Sequence, residues 1–267
     1  MQFDITTRRR LLVLGLAGIV NIATAHAQQG PAPGAKPTPK PTNPALKEVE
    51  DFPGLPRVLL IGDSISMGYT LPVRAKLQGR ANVHRPLENC GDTARGLAKL
   101  DTWLGAGHWD VIHFNFGLHD LKYLDARRKY VSPDKGTQVA KPDVYAENLR
   151  RIVARLKQTG AKLIFATTTP VPRDTLGRVE KDDRVYNKMA LSVMKETGVN
   201  VDDLGGYVAR IQEKLPPVQP QIKGVPSSLR KGDIQIPYNV HFTDDGYLRL
   251  ADIVVESILK VLPAPRK

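Results

Sequence analysis

The chain has 267 residues, of which 41% are hydrophobic, and a formal net charge of +12 at pH 7. This composition is sufficient for a hydrophobic core and excludes a chain that is disordered over most of its length. The basic side chains are scattered and do not form one arm, which favours a soluble, envelope-contacting protein over one that binds nucleic acid. Cys90 is the only cysteine, so no intrachain disulfide can form.

The N-terminus has the order of a secretory signal. Arginines at 8–10 precede an apolar run at 11–20, and the small-residue sequence AHA follows at 25–27. We expect a signal peptide at residues 1–27, with export to the periplasm or the outside. The apolar run is too short for a membrane span, so no integral membrane segment is expected after processing; a retained N-terminal anchor is the alternative. The arginines also resemble a twin-arginine export signal.

Residues 28–56 are rich in proline, which favours an extended, solvated linker. The folded domain is therefore expected at 57–262. There, short aliphatic or β-branched runs alternate with longer helical patterns, which is typical of a parallel sheet with helices on both faces. We predict an α/β fold, a three-layer α/β/α sandwich with about five parallel strands. The predicted strands are 58–61, 81–84, 111–116, 163–167 and 199–202, and the predicted helices are 66–77, 93–104, 142–159, 183–197 and 243–262.

A serine directly follows the first predicted strand. Gly62, Asp63 and Ser64 would form the turn at the carboxyl end of that strand, the edge where open α/β sheets bind ligands. Glycine permits a tight turn, and the amides of a helix N-terminus would surround the serine oxygen. Ser64 is therefore either a nucleophile or an ordinary N-cap residue. His241, in the loop before the last predicted helix, would reach the same edge, where it is either the base for this serine or, as is commoner for a lone histidine, a structural residue.

Four motifs, taken together and in this order, resemble those of the SGNH, or GDSL-type, hydrolases. The sequence GDSI at 62–65 matches the first motif, NCG at 89–91 resembles the second and GLHD at 117–120 resembles the third. The segment VHFTDDGYLRLAD, which begins at Val240, resembles the one that carries the catalytic histidine. The resemblance covers roughly residues 57–262 and implies a flavodoxin-like SGNH hydrolase fold. It also implies ester hydrolysis through an acyl-enzyme, with Ser64 as the nucleophile.

The third motif departs from the family pattern in its oxyanion donor. The family has an asparagine where this chain has His119. A neutral imidazole can donate one N–H, so the resemblance implies an oxyanion hole of the Ser64 and Gly91 backbone N–H groups with His119. The alternative is that His119 only packs against its loop.

The last motif lacks the family's aspartate. That residue usually stands three positions before the histidine, where this chain has Tyr238. We therefore expect a Ser64–His241 dyad in place of a triad. A backbone carbonyl, the Asn239 side chain or a distant acid such as Asp233 would orient His241.

The remaining polar and aromatic residues do not add a second chemistry. The Asp and His residues have no recognisable metal-ligand spacing, so neither a metal nor another cofactor is expected. Threonines at 167–169 could bind sugar hydroxyls, but local structure is the favoured interpretation, and Trp103 and Trp109 are expected to pack at helix ends. The resemblance implies an O-acetylated carbohydrate or another small acyl ester as the substrate. A lysophospholipase or thioesterase, and a non-catalytic carbohydrate-binding relative, are the alternatives.

Overall fold

The computed structural model describes residues 43–219, 221 and 228–266. The predicted signal peptide at 1–27 and residues 28–42 of the predicted linker lie outside this part of the chain. The main strands are β1 Arg57–Ile61, β2 Asn82–His84, β3 Val111–Phe114, β6 Lys162–Ala166 and β7 Asn200–Asp202, and a separate antiparallel pair is formed by β4 Tyr123–Leu124 and β5 Thr137–Gln138. The main strands form one five-stranded parallel sheet in the order β2-β1-β3-β6-β7, which confirms the predicted fold class.

The described residues also form α-helices that cover both faces of the sheet. They are α1 Ser64–Lys76, α2 Thr93–Leu104, α3 Pro142–Lys157, α4 Asp183–Thr197, α5 Leu204–Gln212 and α6 Asp244–Leu259. Helix α1 packs against α6, and α3 packs against both α2 and α4. From β1 the chain first moves to one edge strand and then returns across the sheet, so right-handed crossovers place α1 on one face and α2, α3 and α4 on the other.

Strand β1 lies inside the sheet, between β2 and β3, and directs the chain towards the carboxyl edge. Its residues Val58, Leu59, Leu60 and Ile61 are at most 1% exposed, as expected for a strand covered on both faces. The strand ends at Ile61, and the first residue of α1 is Ser64. The serine is therefore delivered to the carboxyl edge of the sheet by two rigid elements.

The five predicted strands and five predicted helices are all present, with their ends shifted by no more than three residues. Helix α5 was not predicted, because Gly205 and Gly206 lower the helix propensity of a nine-residue segment. The structure shows why glycine is needed there: a Cβ on Gly205 would lie 2.3 Å from the Thr168 carbonyl oxygen. Asp203 compensates by accepting a hydrogen bond from Gly206 N at 3.1 Å.

The folded part of the chain extends upstream of Arg57, into the segment predicted as linker. Ala45, in a short 3-10 helix at Pro44–Leu46, is 1% exposed, and this helix packs against α1. The Asn82 side chain on β2 accepts a hydrogen bond from Phe52 N at 2.9 Å. Proline content indicated only an extended backbone, and an extended backbone can also dock along a sheet edge.

Within the described residues, no helix combines the length and the apolar character needed to cross a membrane.

Candidate active site

Ser64 is held at the start of α1 without serving as its cap. The N-cap is Asp63, whose Oδ1 accepts a hydrogen bond from Ile65 N at 2.9 Å. The interpretation of Ser64 as an ordinary N-cap residue is therefore wrong. The turn is also tight enough to require glycine, since a Cβ on Gly62 would lie 2.7 Å from the Ser66 Cβ. Because Asp63 caps the helix, the Ser64 hydroxyl is free to act at the carboxyl edge of the sheet.

His241 reaches Ser64 from the other end of the chain. Its Nε2 lies 2.9 Å from Ser64 Oγ, across 177 positions of sequence. The histidine loop is fixed by an antiparallel bridge between Gln235 and Phe242. The Gln235 side chain also donates to Val240 O at 3.1 Å and to Pro170 O at 2.9 Å, which connects the loop to the segment that follows β6. The geometry is that of a nucleophile and a base in hydrogen-bond contact.

Asn239 orients the imidazole. Its Oδ1 lies 2.8 Å from His241 Nδ1 and 3.0 Å from the His241 backbone N. A backbone N–H can only donate, so the asparagine atom that faces it is the oxygen, and Nδ1 must carry the proton that it shares with Oδ1. His241 Nε2 is then unprotonated and accepts the hydrogen bond from the Ser64 hydroxyl. The neutral amide thus selects the tautomer that a general base requires.

Asp233 does not take this role. Its carboxylate pairs with the Arg230 guanidinium at 2.6 Å and accepts a hydrogen bond from Arg230 N, also at 2.6 Å. These contacts lie within its own loop and not at His241. Tyr238, at the position of the family's aspartate, donates its hydroxyl hydrogen bond to Gln219 O at 2.6 Å. No carboxylate of the described residues is a hydrogen-bond partner of His241 Nδ1.

His119 faces the same pocket with a defined tautomer. Lys122 Nζ donates to His119 Nδ1 at 3.1 Å, and because an ammonium group has no acceptor, the imidazole proton of the neutral ring lies on Nε2. Burial lowers the pKa of His119; the Asp63 carboxylate opposes that shift, and the charges of Lys122 and Arg178 reinforce it. The ring is therefore neutral near pH 7 and has one N–H to donate.

Gly91 is not available as the predicted oxyanion donor. Its N–H donates to Asn89 Oδ1 at 3.0 Å in an Asx turn, and its φ of +68° accounts for glycine at this position. The residue of this motif that lines the pocket is Asn89. Its Nδ2 has no hydrogen-bond partner in the described part of the chain, so the side-chain N–H groups of Asn89 are free to donate to a ligand in the pocket.

The pocket around these groups has a volume of about 470 Å³. Its lining includes Ser64, His119, Asn239 and His241, which the sequence singled out. It also includes motif residues to which the sequence gave no role in the site: Asp63, Asn89, Leu118, Tyr238 and Val240. The lining residues that the sequence did not indicate at all are Tyr130, Thr175, Leu176 and Arg178.

Comparison with known proteins identifies the family. The sequence pattern of the GDSL-like Lipase/Acylhydrolase family matches residues 60–249, well over half of the chain. The chain belongs to this family.

Solved structures agree with this acylhydrolase fold. A lipase/acylhydrolase from Enterococcus faecalis is 18% identical with a TM-score of 0.57, covering 80% of this chain and 100% of that one. An acetyl xylan esterase, AlAXEase, is 14% identical with a TM-score of 0.59, covering 76% and 99%. An acetylxylan esterase from Geobacillus stearothermophilus is 18% identical with a TM-score of 0.55, covering 76% and 94%. At these identities the likeness concerns the fold.

A shorter match comes from a curated protein of another name. A stretch of 105 residues, 38% of this chain, is 31% identical to a 4-hydroxy-3-methylbut-2-enyl diphosphate reductase from Agrobacterium fabrum. The match spans only 29% of that protein. It extends over too little of either chain to transfer an activity to this acylhydrolase.

Other side chains considered from the sequence lie in the core of the acylhydrolase. Thr168 is fully buried and donates to Phe116 O at 3.0 Å, which matches the structural interpretation of the three threonines. Trp103 and Trp109 are 8% and 6% exposed, and each indole N–H has a protein acceptor, so they pack at helix ends. In the described residues, no group of three or more His, Cys, Asp or Glu side chains is arranged to hold a metal ion.

Asp120, the acid of the third motif, stabilises the loop that carries His119. Asp120 is completely buried, and its Oδ1 accepts from Thr93 N at 3.0 Å at the start of α2. Burial raises the pKa of this carboxyl to about 7, against the hydrogen bonds from Thr93. Asp120 therefore connects the loop that carries His119 to the helix that follows Gly91.

Proposed function

We propose that the chain is an exported serine esterase that removes O-acetyl groups from carbohydrate through an acyl-enzyme. The observation that carries the proposal is the continuous hydrogen-bonded chain Ser64–His241–Asn239 at the pocket wall. The carbohydrate substrate is supported by the names of two structural neighbours, both acetylxylan esterases. Export is supported by the signal-like order of residues 1–27.

In the first half of the reaction, Ser64 Oγ attacks the acetyl carbonyl carbon while its proton passes to His241 Nε2. The negative charge that develops on the carbonyl oxygen is stabilised by N–H donors. The available donors are the Ser64 backbone N–H, which belongs to the first turn of α1, His119 Nε2 and Asn89 Nδ2. The tetrahedral intermediate collapses when His241 returns the proton to the leaving sugar oxygen, which leaves the acetyl group on Ser64.

In the second half, water replaces the sugar. His241 Nε2 takes a proton from the water as its oxygen attacks the acetyl carbon. The same donors stabilise the second intermediate, and His241 then protonates Ser64 Oγ as the Ser64–acetyl bond breaks. Acetic acid leaves, and the serine and the neutral imidazole are regenerated.

The decisive test is covalent labelling by a fluorophosphonate combined with a substrate series. Wild type should be labelled, and Ser64→Ala should not. Turnover of O-acetylated oligosaccharides and short p-nitrophenyl esters, with little turnover of long-chain esters, would support the proposal. A preference for long acyl chains would instead favour a lipid-directed or thioesterase activity. Absence of labelling with an intact fold would indicate a non-catalytic carbohydrate-binding protein.

The rate should depend on pH through His241. Burial lowers the pKa of His241, opposed by the Asp63 carboxylate and assisted by the Arg178 guanidinium. Because only the neutral imidazole accepts the serine proton, kcat/KM should rise with pH, with a midpoint below the ordinary histidine value of about 6.5. A pH profile with p-nitrophenyl acetate measures this midpoint. His84→Gln, on β2 outside the pocket, is the control and should not move it; a midpoint above 6.5 for wild type would contradict the assignment.

His119 should contribute as an oxyanion donor. His119→Ala removes the Nε2–H and should lower the acylation rate roughly a hundredfold or more. His119→Asn supplies a shorter amide donor and should keep much of the rate. Pre-steady-state acylation with p-nitrophenyl acetate measures both variants. An alanine variant that acylates at the wild-type rate would show that His119 only packs against its loop.

A further inference from the structure

One wall of the pocket is cationic and aromatic. Arg178 and Tyr130 both line the pocket, and the Arg178 Cζ lies 5.5 Å from the centre of the Tyr130 ring. Lys122 Nζ lies 5.3 Å from the same ring. Tyr130 is 41% exposed, so its ring is open to a ligand in the pocket. Two positive charges thus meet at one solvent-accessible aromatic side chain.

The Arg178 guanidinium has hydrogen-bonding capacity that the protein does not use. Its Nε and Nη2 both donate to the same carbonyl oxygen, Leu118 O, at 3.2 and 3.0 Å. Both N–H groups of Nη1 are without a hydrogen-bond partner in the described part of the chain. Two arginines with half-buried side chains do have carboxylate partners: Arg57 pairs with Asp51 at 2.8 Å and Arg230 with Asp233 at 2.6 Å. Arg178 forms no salt bridge with any described residue.

The Arg178 charge also acts on the base of the reaction. The Arg178 charge lowers the pKa of both His241 and His119; burial is the larger cause in each case, and the Asp63 carboxylate opposes both shifts with a larger effect than that of Arg178. It therefore opposes formation of the His241 imidazolium in the transition state. Among the described residues that line the pocket, the only carboxylate is that of Asp63, which is 1% exposed and caps α1, so it is not placed on the pocket surface to pair with Arg178.

A negative charge on the substrate would offset the effect of Arg178 on His241 and would use the free donors of the guanidinium. A carboxylate accepts hydrogen bonds from a guanidinium more strongly than a neutral oxygen does. A sugar ring packed on Tyr130 would bring a ring carboxylate towards Arg178. We propose that Arg178 binds a carboxylate on the alcohol part of the substrate, so that the acylated carbohydrate is an acidic sugar of the uronate type. This inference rests on the proposed esterase function and names its substrate class.

The test is a matched pair of substrates, an O-acetylated methyl uronoside and the same compound with its carboxylate converted to the primary amide. For wild type, kcat/KM should be roughly ten- to a hundredfold higher for the carboxylate, the range expected of a hydrogen bond to a charged group. Arg178→Gln should bring the ratio close to one. Arg151→Gln, an exposed arginine on α3, is the matched control and should keep the wild-type ratio.

The pH dependence gives a second readout that a purely structural role would not move. A carboxylate bound at Arg178 favours the imidazolium, so the midpoint of the kcat profile should be higher for the carboxylate substrate than for the amide. In Arg178→Gln the two midpoints should coincide. Equal wild-type rates for the two substrates, or an Arg178→Gln variant that slows both equally by disturbing Leu118, would overturn the proposal.

Binding to the Ser64→Ala variant separates this inference from the proposed function. Calorimetry with the deacetylated methyl uronoside and its amide should show tighter binding of the carboxylate, and Ser64→Ala/Arg178→Gln should lose that preference. Equal binding of the two ligands overturns the acidic-sugar inference even if p-nitrophenyl acetate is hydrolysed. Failure of the esterase function itself would be seen separately, as absence of fluorophosphonate labelling in wild type.

Discussion

Replacing Ser64 with alanine should abolish ester turnover while the fold stays intact. Removing the nucleophile of a serine hydrolase lowers kcat on the order of a millionfold. Without the serine oxygen no acyl-enzyme can form, so the base and the oxyanion donors have no attack to assist. The fold should be unaffected because Asp63, not Ser64, caps α1. Among the described residues, the Ser64 hydroxyl has a hydrogen bond only to His241, and it lies in the lining of a pocket.

Turnover of p-nitrophenyl acetate and the thermal unfolding midpoint together measure this prediction. Ser192→Ala, at an exposed position of α4, is the matched control and should behave as wild type in both assays. Turnover by Ser64→Ala within tenfold of wild type would contradict the nucleophile assignment. A large loss of stability would show that the hydroxyl has a structural role that the contacts do not reveal.

The sheet could be predicted because its strands are strongly apolar and short. Residues 58–61 and 163–166 form aliphatic or aromatic runs. A strand that helices cover on both faces needs such a continuous apolar run, and the run can be seen in the local sequence. Helix α5 could not be predicted, since the reason for Gly205 is the close approach of a loop far away in the chain. Docking of the segment around Ala45 likewise depends on contacts with α1 that composition does not encode.

The site was predicted where its chemistry is carried by motifs and missed where it depends on distant contacts. The family resemblance indicated Ser64 and His241 in spite of their separation. Gly91 was assigned by analogy, although an Asn-x-Gly sequence also indicates an Asx turn in which the asparagine side chain accepts the glycine N–H. Arg178 carried no signal, because its place in the pocket depends on Leu118, sixty positions upstream.

Asn239 should matter almost as much as the base that it orients. Asn239→Leu removes the oxygen that accepts from both His241 Nδ1 and His241 N. The imidazole would then be free to rotate and to place its proton on Nε2, where it could no longer accept from Ser64. Loss of the orienting acid in a serine triad costs roughly ten-thousandfold in kcat, and we expect a loss of about a thousandfold or more here, since a neutral amide stabilises the imidazolium less than a carboxylate.

Asn239→Asp distinguishes orientation from charge. The carboxylate keeps an oxygen at both contacts and adds a negative charge beside the imidazolium, so the pKa of His241 should rise. The midpoint of kcat/KM should move to higher pH, and turnover above that midpoint should equal or exceed wild type. Asn200→Leu, exposed on β7, is the control for the leucine substitution. If Asn239→Leu retains wild-type turnover, another group orients His241. If Asn239→Asp is as inactive as the leucine variant, the amide contributes through its Nδ2 group, and not through the oxygen that the structure places against the ring.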